Sequence, residues 1–282
     1  MQQRFAPAIA ANRFGLGCRP GELARIGDDP RGWLEQQLTG GPVTLQGENL
    51  SSSAEILAKV LGLREEFRAA RRRAAASMSS SSKDDGQPRA NPDIRKLFRL
   101  PGIYRPVYVA EVTARVREAV TTQRSFLERL THFWTNHFAV SVDKIAVLGL
   151  AGAFEREAIR PHVLGRFPDM LLAVERHPAM LLYLDNHLSV GPNSRAARAV
   201  AKRRNGERQL GINENLAREI LELHTLGVNG GYTQADVTAL AKVITGWSIG
   251  GELGPLKRGT PGEFVFRPEI HEPGTKRVLG KR

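Results

Sequence analysis

The sequence predicts an all-α protein, with helices packed around a single core in an orthogonal or bundle-like way and one short strand or hairpin near the C-terminus. Three observations predict it. Apolar residues recur at helical spacing along most of the chain, helix-starting and helix-stopping residues punctuate those stretches, and only "EFVFRP" near the end reads as a strand. With 282 residues, 41% of them hydrophobic and 25% charged, the chain can bury a sizeable core, so 1–282 is read as one helical domain. No internal repeat is evident.

The elements follow in order. "CRPGELARI" and "DDPRGWLEQQL" read as two short helices, with Pro20 and Pro30 where a first turn tolerates a missing amide. A longer helix is expected from Ala54 to about Ala76, dissolving into "SMSSSSKDDGQPRANPD". That serine- and proline-rich stretch cannot bury apolar surface, which makes residues 70–92 a flexible low-complexity insertion. Pro106 opens the next candidate helix, with Tyr108, Val112, Val116 and Ala119 on one face. After "TTQRS", Ser125 and Glu128 fit a capping box, so a helix should begin at Phe126. "FPDMLLAVERHPAMLLYLDNHL" reads as two buried helices parted by Pro178. Asn213 can cap a following helix and Gly227 can end it; Thr233 with Asp236 starts another that runs to Gly246.

Charge and composition limit the function classes. No apolar run approaches the roughly 20 residues of a membrane-spanning helix. "MQQRFAPAIAANRFGLG" matches a secretory signal poorly, so a cytoplasmic location is the default, with export as the alternative if a leader has been trimmed. Cys18 is the only cysteine, which excludes an internal disulfide or a cysteine-based zinc site. Of the formal charge of +12, residues 64–73 hold five arginines against two glutamates and residues 193–208 hold six basic residues against Glu207. Such basic arms on a nearly neutral body suit a solvated face or nonspecific contact with a polyanion rather than base-specific reading of nucleic acid. Serine-hydrolase, P-loop and dinucleotide signatures are absent from the sequence.

Two helices carry the candidate chemistry. On the helix beginning at Phe126, an ideal projection puts Phe126, Leu130, Phe133 and His137 within an arc of about 60°, with Glu128, His132 and Asn136 as a separate polar stripe. His132 and His137 stand about 140° apart, so this helix alone cannot aim both at one metal. On the helix after Asn213, Asn215, Glu219 and Glu222 share a face beside Leu216, Ile220 and Leu223, and His224 lies about 160° from Glu222. Carboxylates bordering an apolar face are candidates for raised pKa, metal ligation or buried pairing with a base such as Arg218. Each motif has a structural alternative: a core hydrogen bond for His137, and an ion-paired surface for the glutamates with His224 as a C-terminal charge.

Five separated segments together resemble one large bacterial family, the domain of unknown function 1800. They are "ANRFGLGCRPGE", "LTHFWTNHFAVS", "IRPHVLGRFPDMLLAVERHPAMLLYLDN", "NENLAREILELHTLGVNGGYTQADV" with "TGW", and "HEPGTKRVLG". The resemblance implies a largely helical protein, often exported and often encoded beside a sulfatase-like partner, with no activity to carry over. It places the family's tryptophan motif on His132, Asn136 and His137. The asparagine–glutamate motif falls on Asn213, Glu214, Asn215, Arg218, Glu219, Glu222, His224 and Thr225. His271-Glu272 stands where the family usually has His-Asp. Because members usually continue further, a chain stopping at Arg282 is expected to be C-terminally truncated.

The leading expectation is a metal-assisted or acid–base hydrolytic site. Its catalytic candidates are Asn215, Arg218, Glu219, Glu222 and His224; a divalent metal would draw on His132, His137, Glu219, Glu222 and His271. The rival is a noncatalytic helical scaffold or envelope-associated binding module whose polar motifs hold the fold together.

Overall fold

A computed structural model describes residues 5–80, 100–203, 211–251 and 258–282. A short helix α1 (Ala6–Ile9) continues as a π-helical turn over Ala10–Phe14, followed by α2 (Glu22–Ile26) and α3 (Pro30–Gln37). The long helices are α4 (Ser53–Ser80) and α5 (Leu100–Thr121), and α6 (Ser125–His137) follows the latter. Next come α7 (Ile145–Leu148), α8 (Ala151–Phe154), a second π turn (Glu155–Ile159), α9 (Phe167–Arg176), α10 (Pro178–Tyr183) and α11 (Arg195–Arg203). Finally, α12 (Asn215–Glu219) passes into a third π turn (Ile220–Thr225) and then α13 (Gln234–Ile244). Strands β1 (Trp247–Ile249) and β2 (Phe264–Phe266) pair antiparallel, Trp247 opposite Phe266. The fold is mostly α with a C-terminal hairpin, as predicted; the β1 half of that hairpin carried no strand signal.

One core joins nearly all of these elements, built on Ile56, Leu127, Phe138, Leu150, Phe154, Ile159 and Met180 and closed by Leu216, Val237 and Ile249. Helix α5 lies against α7 and α8, and the approach is close enough to require glycine. A Cβ on Gly152 would stand 2.3 Å from the Glu111 side chain, and one on Gly149 would stand 2.2 Å from the Tyr104 ring.

Several local expectations hold. Asp29 caps α3 through the Gly32 amide, and Thr233 with Asp236 forms a complete capping box on α13. The Asn213 side chain accepts from the Asn215 amide at 2.9 Å, and Gly227 leaves the third π turn with φ +83°. Helix α4 runs to Ser80, so residues 70–80 of the expected insertion are helical; residues 81–92 lie outside the described residues. The basic arm on α4 is a solvated face, with Arg71, Arg72 and Arg73 all exposed.

Three expectations are corrected. Pro106 does not open α5 but sits inside it near its first turns, where the bond it forgoes is to the carbonyl of an exposed residue, Gly102, that water can reach. The buried face of α5 is therefore Tyr104, Val107, Glu111 and Ala114, while Val112 and Val116 are 41% and 56% exposed. The Ser125–Glu128 capping box does not form either, because α6 begins at Ser125 and Glu128 is engaged elsewhere. Finally, the core face of α6 is Leu127, Glu128 and Thr131, with Phe133 56% exposed and Glu128 at 0%. An ideal wheel ranks a carboxylate as outward, and here a buried cation reverses that.

That cation is Arg160. Its Nη1 and Nη2 donate to the two Glu128 oxygens at 2.8 and 2.6 Å, and its Nε donates to Glu155 at 2.9 Å. Glu155 and Arg160 are five residues apart, which an α-helix would set on different faces; the i→i+5 bonding of the π turn stacks them. Glu128→Ala leaves Arg160 half-paired at 2% exposure, so we expect a loss of about 3–5 kcal/mol in urea denaturation, the cost of breaking a buried pair. Arg31→Ala, which breaks the exposed pair with Glu35, should leave the midpoint unmoved.

Candidate functional site

Two polar clusters among the described residues involve the helix Ser125–His137. The first spreads from the Arg160 pair. Glu155 also receives the Thr135 hydroxyl at 3.1 Å and sits 3.0 Å from Arg115 Nε. Nearby, Arg156 grips Glu111 through Nε and Nη2, at 2.7 Å for the shortest contact, and donates to the Ser51 carbonyl. His132 stands 3.3 Å from Glu128 at ion-pair range without a directed hydrogen bond. Burial alone would raise the Glu128 pKa; the close approach of His132 and the hydrogen bonds and charge of Arg160 overcome it and hold the group at about 2.

A cavity of about 240 Å³ opens beside this network. Its polar wall is Tyr108, Arg115, Thr135 and Asn136 with Glu111 and Glu155, and its apolar wall includes Leu45, Val112, Val140 and Val142.

The second cluster joins α6, α9 and the third π turn. His224 Nδ1 lies 2.7 Å from Glu175 Oε1, with both side chains buried. His137 Nε2 lies 3.1 Å from the His224 carbonyl oxygen, and Phe138 packs edge-on against the His224 ring at 5.2 Å. Burial pushes the Glu175 carboxyl up, His224 pulls it down, and the neighbouring charge of Glu219 pushes it further up. The other oxygen, Oε2, is buried with no hydrogen-bond partner among the described residues.

The tryptophan-motif helix and the asparagine–glutamate helix thus do meet, through His137 and His224. The wider set does not converge. Arg218 bonds Gln234 at 2.8 Å on the surface, Asn215 is exposed and Glu222 lies by the Tyr232 hydroxyl. Glu219 borders the second cluster without bonding to it. His132 belongs to the Arg160 network, and His271 is held apart by the Thr245 carbonyl at 2.7 Å and by Lys276. Among the described residues, no three histidine, cysteine, aspartate or glutamate side chains gather as a metal would need, so the five proposed ligands form no common set.

His224 departs from its projection because residues 220–225 follow π rather than α geometry, which turns the ring inward to 4% exposure and leaves Leu223 54% exposed. Sequence reasoning missed Glu175, Glu155, Arg160 and Arg115. The only signal for Glu175, Glu155 and Arg160 was charge lodged in apolar runs, "LLAVERHPAMLL" and "GAFEREAIRPHV", and for Arg115 charge beside the valines of "VTARV"; in each a solvent-facing stripe and a buried pair look alike.

The family described as "Protein of unknown function (DUF1800)" matches residues 9–282. No curated protein and no solved structure matches the chain.

The two clusters carry opposite pH signatures. Glu128 is held at about 2 against an ordinary 4.5, so its stabilisation is complete above 4.5 and is lost as pH falls toward 2. Glu175 is raised, so its contribution is complete below 4.5 and is lost as pH rises through the folded value. Urea midpoints followed across pH should therefore show the deficit of Glu128→Gln shrinking in acid. They should also show Glu175→Gln gaining on the native chain as pH rises from 4.5; curves that stay parallel would refute both assignments.

Proposed function

Since this chain belongs to the DUF1800 family, which brings no activity with it, we propose on physical grounds that it is a helical binding module whose motif residues hold the fold together. The observation that carries this reading is the engagement of carboxylates within the helical body, motif residue Glu214 among them, by neighbouring polar side chains. Glu128 is taken by Arg160, Glu111 by Arg156, Glu157 by His177 and Ser53, and Glu214 by Gln234 and Thr238. A hydrolytic metal centre needs three or four converging donors with an open position, and these donors are spent on one another. A sulfatase-like partner and an exported setting belong to this proposal as what the family resemblance offers. No described helix is long and apolar enough to cross a membrane.

A second reading is favoured by one feature, the Glu175–His224 pair. A carboxylate this close to Nδ1 keeps the proton there and leaves Nε2 as the basic nitrogen, which is the arrangement of an oriented general base.

Elemental analysis separates the readings. The binding module should carry much less than one metal per chain after dialysis, and chelator should not move its melting midpoint. Glu219→Gln and Glu222→Gln should fold normally, with stability changes within about 1–2 kcal/mol. Stoichiometric metal lost in either variant would establish the hydrolytic centre instead. For the acid–base reading, hydrolysis of p-nitrophenyl acetate should be present in the native chain, absent in His224→Gln and retained in His132→Gln.

A further inference from the structure

We propose that the outer face of α5 rests on an anionic lipid surface, with a ridge of valines entering the headgroup region and the arginines of the same face meeting lipid phosphates. The proposal rests on the binding-module reading and names the surface that the module takes.

The apolar ridge comes first. Val109, Val112, Val116 and Val120 are 58%, 41%, 56% and 67% exposed. At about 100° per residue they share an arc of about 80°, on the side of α5 opposite its buried Tyr104, Val107, Glu111 and Ala114. Helix α5 is therefore apolar on two sides, one against the core and one toward solvent. β-branched residues are weak helix formers, so valines on a solvent-facing side do nothing for the helix itself. They make an exposed apolar strip about 16 Å long, the kind of feature that marks an interaction surface.

Charge comes next. Arg105 lies within the ridge and Arg117 at its edge, both exposed, and no exposed position of α5 carries an acid. Where the ridge ends, Arg19 Nη1 donates to the Thr121 carbonyl at 3.4 Å, which ties the N-terminal segment to that end of α5. This segment exposes Phe5 and Ile9, at 63% and 50%, together with Arg13, and it has no acid from Phe5 to Gly21. An apolar strip edged by arginines and free of carboxylates complements a layer that is negative at its surface and apolar beneath, which is what an anionic bilayer presents.

Charge and shape disfavour the other occupants. A second copy packed ridge to ridge would bring arginines of the two helices together with no acid on either face to pair them. An acidic amphipathic helix from a partner protein lies in a groove between two walls. The shallow depression along the ridge is lined, among the described residues, by α5 alone. A convex single-helix ridge offers such a helix no second wall, whereas a lipid surface needs none.

Cosedimentation of the full chain with vesicles tests this, comparing equal parts of phosphatidylglycerol and phosphatidylcholine with phosphatidylcholine alone. The expected result is binding to the mixed vesicles that falls with added salt and is weaker by about tenfold or more on the neutral ones. Val116→Glu combined with Val120→Glu, both at exposed positions, should weaken binding to the mixed vesicles by about tenfold without lowering the melting midpoint. If that variant fails to fold, Arg105→Gln with Arg117→Gln, also exposed, gives the same readout. A second measurement separates the ridge from the basic arm on α11. With Cys18→Ser as background, an environment-sensitive fluorophore at Val116→Cys should shift to the blue on mixed vesicles, and the same label at the exposed Ala199→Cys should not. No binding to the mixed vesicles would leave the ridge to an acidic protein partner and overturn the proposal. So would binding that the valine and arginine variants leave unchanged, or a solution dimer that Val116→Glu dissociates. None of these outcomes bears on metal content, so failure here is distinct from failure of the binding-module reading.

Discussion

The buried guanidinium of Arg160 is the constraint on which the rest of this structure depends. Two carboxylates from different parts of the chain, Glu128 on α6 and Glu155 at the start of a π turn, are fixed by one planar fork of donors. Taking three charges out of water is costly, and their attraction offsets that cost only when the geometry is good and the remaining donors and acceptors are met. Here the Thr135 hydroxyl donates to Glu155, and Arg115 and His132 add charge at ion-pair range beside Glu155 and Glu128. The pair is therefore better understood as setting the register of α6 against the following helices than as a source of net stability.

Much of the local architecture follows from that register. With Glu128 inward, Leu127 and Thr131 turn to the core and Phe133 turns out, which places Thr135 and Asn136 on the cavity wall. The same rotation brings His137 at the end of α6 over the His224 carbonyl and so ties α6 to the third π turn. Helix α5 enters through the Gly152 contact and adds Glu111, Arg115 and Tyr108. The cavity and the Glu175–His224 cluster are two consequences of one packing arrangement on neighbouring stretches of α6.

π turns contribute at both places. Over 155–159 the i→i+5 pattern stacks Glu155 under Arg160, and over 220–225 it turns His224 toward Glu175. Each turn sacrifices regular α bonding at a point where a charged or titratable side chain must face inward. An ion pair and a buried imidazole supply the compensating interactions.

Local rules, read from the sequence alone, determined the helical class, the C-terminal strand segment, the helix starts at Pro30 and Thr233, the stop at Gly227, and, within two residues, the start after Asn213. Each of these rests on an interaction between residues a few positions apart: a cap, a fixed φ, or a left-handed glycine. The sequence also singled out the two helices that meet, since their motif residues include His137 and His224. Tertiary structure alone decided which side of each helix is buried, because a carboxylate is outward in any periodicity argument until a partner such as Arg160, thirty-two residues away, neutralises it. It decided the membership of the site for the same reason. Glu175, Arg115 and Glu155 become neighbours of the motif residues through packing across helices, and charge pairing over such separations leaves no period in the sequence to read.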